Sequence, residues 1–419
     1  MRHTFALDNG LSVIVKEDHR APVVSTQLWY HVGASYEHPG QSGLSHALEH
    51  LLFSGSSKLP EGQYSRLLQR MGASANAFTS EDATVFHQLL PAARLEPVLE
   101  IASDTMHTAT LAAQVFTREI EVVKAERSLR VDHMPAARLH EAVTAQGFAH
   151  SSYRTPTIGT AVDLASMTVT DLQHWYRNWY APNNATLVVC GDVQASAVKI
   201  LVERHFGTLA RSQLPVRKRP QEPDGFGQRS LTLKLPQASP TLSLAFNVPS
   251  HGTSTEVRSL NALRLTRFLL AEGIGSRLFS RLLRGKEVIT SASADYTAYA
   301  RGDQLFRITV HPSDDISATE SALWGELEAL KADPPSEQEL ARAQTKLTAT
   351  QVYASDNLEY QSAQLGQLAA CGLPLSLLDS QQNDLAQVRP ADIQAVAQRF
   401  FVRERLTTGY LTPKENSHE

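Results

Sequence analysis

Pro22-Val23-Val24-Ser25-Thr26-Gln27-Leu28-Trp29-Tyr30-His31-Val32 alternates apolar and polar side chains and is rich in β-branched and aromatic residues, the pattern of a strand. A shorter alternating run, Leu11 to Val15, precedes it. Roughly 220 residues later the arrangement returns, with Leu231-Thr232-Leu233-Lys234-Leu235 followed by Pro240 to Val248. The ends of the two halves also match. Thr170-Asp171-Leu172 opens a helix through Trp175 and Trp179 that leads into a strand, Ala185 to Val189. Pro390-Ala391-Asp392-Ile393 opens another, through Val396 and Phe400, that leads into Leu406 to Leu411. Asp171 and Asp392 lie near the helix starts, where a carboxylate can satisfy exposed N–H groups. A period this long is no solenoid repeat. It predicts two related domains, residues 1–212 and 230–419, joined by a proline-bearing linker over 213–229. Strands, long helices, then strand and helix again in each half read as an α+β fold, each domain a largely antiparallel sheet with helices packed on one face.

Composition narrows the function. The 419 residues carry 39 Lys plus Arg against 43 Asp plus Glu, a net charge of −4, and the basic residues form no stripe that would mark a nucleic-acid surface. Arg217-Lys218-Arg219, beside prolines, reads as linker rather than as a targeting or nucleic-acid patch. No apolar run approaches the length of a transmembrane helix. Cys190 and Cys371 are the only cysteines, which excludes a disulfide framework and a thiolate zinc site. Met1-Arg2-His3-Thr4-Phe5 lacks the apolar stretch of a secretory signal, so the expectation is a cytoplasmic protein; a periplasmic chain whose signal had been removed would read the same.

Chemistry concentrates in Gly43-Leu44-Ser45-His46-Ala47-Leu48-Glu49-His50-Leu51-Leu52-Phe53. On a helix His46 and His50 project one turn apart from the same face and can share one Zn²⁺. Glu49 falls beside that point, where a carboxylate can take a proton from a zinc-bound water. Leu44, Leu48 and Leu51 form the opposite, core-facing side. The bland alternative is a chance pattern, or two structural histidines satisfied by backbone carbonyls. A second helix, about Val115 to Arg130, gathers Ala112, Val115, Phe116, Val122 and Val123 on one arc, with Glu121 and Lys124 pointing away. Glu119 and Glu126, seven residues apart, fall within that arc. Buried carboxylates require a cation or hydrogen-bond donors, either a metal or ion pairs with a residue such as Arg130.

These residues resemble those of the inverted zinc peptidases, the family of pitrilysin, insulin-degrading enzyme and the mitochondrial processing peptidase. His46-Ala47-Leu48-Glu49-His50 with Glu126 downstream matches the signature, and Gly43, Phe53-x-Gly55, Pro60-x-Gly62 and Gly72-Ala73-Ser74-Ala75-Asn76-Ala77-Phe78-Thr79 agree around it. The resemblance covers the whole chain. It implies one zinc per chain held by His46, His50 and Glu126, with Glu49 as general base and Glu119 as a second catalytic carboxylate. It also implies that Asn76, Ala77, Phe78 and Thr79 bind an extended peptide substrate as an added strand. Read without it, Asn76 to Thr79 would be an ordinary turn into the strand Ala83 to Leu90.

The second half departs from the pattern. Leu260-Asn261-Ala262-Leu263-Arg264-Leu265 offers no histidine. The Arg and Tyr that family members place seven residues apart to grip substrate backbone fall at Arg284 and Ser291, with Tyr296 and Tyr299 out of register. The resemblance therefore implies a zinc metalloendopeptidase for short or unfolded peptides. Its dimeric clam-shell would be a heterodimer in which a homologous, non-catalytic subunit supplies the Arg/Tyr pair, or else a homodimer. The alternative is a non-catalytic core or scaffold subunit of the same family. His87, His107, His133, His140 and His150 read as surface or core histidines.

Overall fold

Among the described residues eleven strands form two sheets. In chain order they are β1 (Arg2–Ala6), β2 (Ser12–Glu17), β3 (Val23–Tyr30), β4 (Ser74–Thr79), β5 (Thr84–Pro91), β6 (Ala185–Gly191), β7 (Arg229–Leu235), β8 (Thr241–Val248), β9 (Ile289–Asp295), β10 (Gln304–Pro312) and β11 (Leu406–Pro413). The computed structural model describes residues 1–216, 219–223 and 227–414. Arg217 and Lys218 of the basic triplet, and Asp224 and Gly225 of the linker, lie outside the described residues.

The first sheet runs β1-β2-β6-β3-β5-β4 and the second β7-β11-β8-β10-β9. Leaving out β1, the orders correspond strand by strand. The pairs β2–β6 and β7–β11 are parallel, and every other pair is antiparallel. A parallel pair cannot be closed by a hairpin and needs a long crossover, here the whole helical body of each half. The duplication legible in the strand patterns is thus a duplicated topology. The helix Val169–Trp179 leads into β6 and Pro390–Phe400 into β11. Asp171 and Asp392 act three residues into these helices, accepting the N–H of Thr168 at 2.9 Å and of Arg389 at 2.8 Å.

In the first unit Val13, Val15, Val24, Leu28, Tyr30, Leu187 and Val189 face one way and pack with Leu44, Leu48, Leu51, Val98, Ile120, Val123 and Leu172 from the helices. Trp29 takes the other face by strand alternation. That face is covered by the helix Leu358–Ala370, where Gly366 lets the Trp29 indole approach closely and Glu359 O accepts from Gln27 Nε2 at 2.9 Å. In the second unit Leu242, Leu244, Phe246 and Val248 face the main core. Ala245 and Leu411 meet Leu139 and Val143 of the helix Pro135–Gly147 on the other side.

These helices decide the partition of the chain. One compact unit comprises Met1–Arg127, Thr155–Lys218 and Tyr353–Leu375; the other comprises Ser128–Arg154, Arg219–Val352 and Ser376–Glu419. The single cut between 1–212 and 230–419 read from the sequence differs from this at two segments, each of which packs with the unit of the other half. The cause is that a sheet has two faces and the main core covers only one. The second face takes its apolar cover from a distant segment.

Candidate metal centre

The helix Leu44–Leu52 starts at Gly43, whose φ of +90° is left-handed and suits glycine. No Ser, Thr, Asp or Asn caps it. Instead the buried carboxylate of Glu37 accepts the N–H of Gly43 and of Ser45, each at 2.7 Å, and so satisfies donors that a helix start leaves open. Burial pushes the Glu37 carboxyl up to about 7, against the pull of those donors. Leu44, Ala47, Leu48, Leu51 and Leu52 are buried in the core, so the helix presents its remaining face, with His46, Glu49 and His50, to the helix Ala113–Arg127 and to β4.

His46 Nε2 lies 3.5 Å and His50 Nε2 3.3 Å from the same oxygen, Oε2 of Glu126, and ligand atoms of all three lie within 4.8 Å of one another. Tetrahedral zinc with bonds of about 2.0–2.1 Å separates its ligands by about 3.3–3.4 Å. Two imidazoles and one carboxylate at these separations fit a zinc ion. Among the described residues no other group of three such donors comes this close. Glu49 is buried at 8% exposure and its Oε2 accepts the Thr79 hydroxyl at 2.6 Å. Glu119 Oε2 stands 3.8 Å from His50 Nδ1, the nitrogen on the far side of the ring from Glu126. That separation is longer than a hydrogen bond.

The second helix departs from the arc expected of it. Val122 is about half exposed, and the buried positions are Val115, Ile120, Val123 and Arg127. Glu119 and Glu126 lie at the margin of this stripe, partly exposed toward the histidines. The α-helix ends at Arg127 and continues as a π-helical turn, Ser128–Asp132, so Arg130 is not on the α-helical arc that spacing assigned it.

Asn76, Ala77, Phe78 and Thr79 lie on β4, an edge strand paired only with β5. Thr79 and Ala77 share the face turned to the metal helix, and Phe78, 39% exposed, stacks edge-on to Trp29 on the other. In the second unit Arg284 is exposed, its guanidinium 5.2 Å from the Phe279 ring centre. Ser291 pairs with His311 on β10. Tyr296 is buried and donates to Pro249 O at 2.7 Å, and the Tyr299 hydroxyl accepts from Arg264 at 3.2 Å. Neither phenol projects as a free grip.

The helix that follows β8 in that unit, Val257–Ala271, carries Asn261-Ala262-Leu263-Arg264-Leu265 and no histidine. Arg264 donates to Asn261 Oδ1 at 2.9 Å and, with the Gln381 amide turned to satisfy its neighbours, to the Gln381 oxygen at 2.7 Å. The Arg264 guanidinium is thus held among neutral amide and phenol partners. Spacing missed this cluster, as it missed Glu37, because its members come from separate segments with no periodic signal.

Two family models match the chain: insulinase, peptidase family M16, over residues 12–161, and the peptidase M16 inactive domain over residues 166–347. The chain is 28% identical over 415 residues to a zinc protease of Helicobacter pylori, covering 97% of this chain and 92% of that one. It is 21% identical over 401 residues to an uncharacterized zinc protease of Bacillus subtilis, covering 96% of each. A crystal structure of a protease from Helicobacter pylori superposes with a TM-score of 0.92 at 25% identity, covering 99% of this chain and 100% of that one. An M16-like peptidase from Alicyclobacillus acidocaldarius shares the fold, with a TM-score of 0.86 at 18% identity over 99% of this chain and 98% of that one.

Proposed function

Because the chain belongs to peptidase family M16, we propose that it is a zinc metalloendopeptidase cleaving short or unfolded polypeptides, with its first unit catalytic. The observation that carries this reading is the convergence of His46, His50 and Glu126 beside Glu49 and the open edge of β4. His46, His50 and Glu126 would hold the ion. When bound, zinc supplies Lewis acidity that lowers the pKa of a water and polarises the scissile carbonyl. The carboxylate of Glu49 takes the proton of the attacking water and later delivers it to the leaving amine nitrogen. Thr79 fixes that carboxylate through its hydroxyl, which ties the base to the strand that aligns the peptide. An extended substrate hydrogen-bonds along β4 at Asn76–Thr79, which positions its backbone with little demand on its sequence. Glu119 would be the second catalytic carboxylate, standing behind the site on the Nδ1 side of His50.

The second unit would contribute substrate binding through Arg284. Since Ser291 is too short to replace a tyrosine, and Tyr296 and Tyr299 are engaged elsewhere, the full enzyme is a heterodimer whose homologous non-catalytic subunit brings the Arg/Tyr pair; a homodimer is the second arrangement. The first test is elemental analysis of the purified chain with digestion of a quenched-peptide panel, with and without a zinc chelator. One zinc per chain and chelator-sensitive cleavage support the reading. A chain without stoichiometric zinc, or cleavage indifferent to the chelator, overturns it.

A further inference from the structure

Glu126 is the penultimate residue of its α-helix, and the chain leaves the first unit immediately after Arg127. At Arg127 the α-helical hydrogen-bond pattern gives way to that of the π-helical turn Ser128–Asp132, a change of register one residue from the proposed ligand. A metal ligand in that position needs an anchor beyond the helix hydrogen bonds. Arg127 is such an anchor: it is only 7% exposed, and its Nη1 donates to the carbonyl of Gly159. Gly159 in turn lies against Gly43, the residue that starts the histidine helix. A Cβ on Gly159 would stand 2.8 Å from Gly43 Cα and 2.6 Å from Ser42 O, and one on Gly43 would stand 3.0 Å from Gly159 Cα. Both glycines have left-handed backbones, φ +83° and +90°. The junction is closed on each side. Asp163 accepts from the N–H of Ser42 at 3.0 Å and from its hydroxyl, and that hydroxyl accepts from Thr160 N at 2.9 Å. Glu37 holds Gly43 and Ser45.

We propose that Arg127, acting through the Gly159–Gly43 contact, is a positioning residue that sets Glu126 against His46 and His50 and so preorganises the metal site. The inference rests on the zinc reading. Donor positions in a metal site must be held within about 0.5 Å. The Arg127–Gly159–Gly43 chain supplies a rigid, buried route from the end of one ligand helix to the start of the other. Replacing partners that orient ligands typically costs about 10–100-fold in metal affinity.

The test measures zinc affinity by chelator competition, and the electronic spectrum of the cobalt-substituted protein, for the full chain and four variants. Arg127→Ala and Gly159→Ala are expected to weaken zinc binding about 10–100-fold and to alter the cobalt bands. Arg127→Lys, which keeps a cationic donor for the Gly159 carbonyl, should recover most of both. Gly366→Ala, a packing change against Trp29 on the other face of the sheet, should leave both readouts at wild-type values although it lowers stability. If Arg127→Ala does not fold, Arg127→Gln decides by the same readouts. Wild-type affinity and spectrum in the arginine variants overturn the inference, as does an equal change in Gly366→Ala, which would make the effect one of general stability. A wild-type chain that binds no zinc sinks the peptidase reading instead.

Discussion

Glu49 and Thr79 form the shortest link between the proposed base and the strand that would carry the peptide, 2.6 Å from hydroxyl to carboxylate. Glu49→Gln keeps the shape and the amide can still receive the Thr79 hydroxyl. It should therefore retain one zinc while kcat falls by about 10²–10⁴, since only the proton acceptor is lost. Steady-state kinetics on metal-quantified protein checks this, and an unchanged kcat removes Glu49 from the mechanism. Thr79→Val deletes the donor at nearly constant volume. A hydrogen bond to a charged group contributes about 1.5–3 kcal/mol, so kcat should fall by about tenfold or more while zinc content holds. His251 in the second unit stacks on Tyr299 with ring centres 5.0 Å apart, and burial together with the Arg264 charge pushes its imidazole down to about 4. The unfolded chain takes up that proton near 6.5 and the folded one resists it. Stability should thus be full above about 6.5 and decline as the pH falls toward 4. Thermal unfolding at pH 7 and pH 5 should show the decline, and His251→Gln should flatten it.

At the scale of elements, the helix Leu358–Ala370 shows how a distant segment completes a sheet. Gly366→Ala would ordinarily favour a helix interior by about 1 kcal/mol. Here the added Cβ would stand 2.1 Å from the Trp29 ring, and Trp29 is 1% exposed with no room to retreat. Overpacking of about 1–3 kcal/mol should win. A lowered urea midpoint with unchanged slope is the expected result; a raised midpoint would mean that the helix rides over Trp29 without cost. The helix Ala113–Arg127 teaches a different lesson. Its carboxylates were legible because Glu119 and Glu126 recur two turns apart. Its packing stripe was not, because Val122 looks apolar in sequence yet stays at the surface.

For the whole molecule, the exchange of helices makes each unit depend on both halves of the chain. A fragment of residues 1–212 lacks the helix that covers Trp29 and retains Pro135–Gly147, whose partners Ala245 and Leu411 are then absent. It should expose apolar surface on two elements and aggregate or bind hydrophobic dyes. A soluble fragment with stoichiometric zinc would show that the exchanged helices are dispensable. The full chain alone is expected to turn peptides over slowly, and addition of a homologous subunit carrying the Arg/Tyr pair to raise the rate without changing zinc content. Full activity of the isolated polypeptide, indifferent to any such subunit, would defeat the heterodimer proposal.

Sequence alone settled whatever is periodic: strand alternation in both halves, the histidines one helical turn apart, the glutamates two turns apart, and the duplication itself. These are local consequences of backbone geometry, so spacing carries them. Tertiary structure alone decided which segment covers the second face of each sheet, how Glu37 caps a helix that lacks a capping residue of its own, and that Arg127 reaches Gly159. Those contacts join residues far apart along the chain, where burial and mutual fit, rather than repetition, choose the partner.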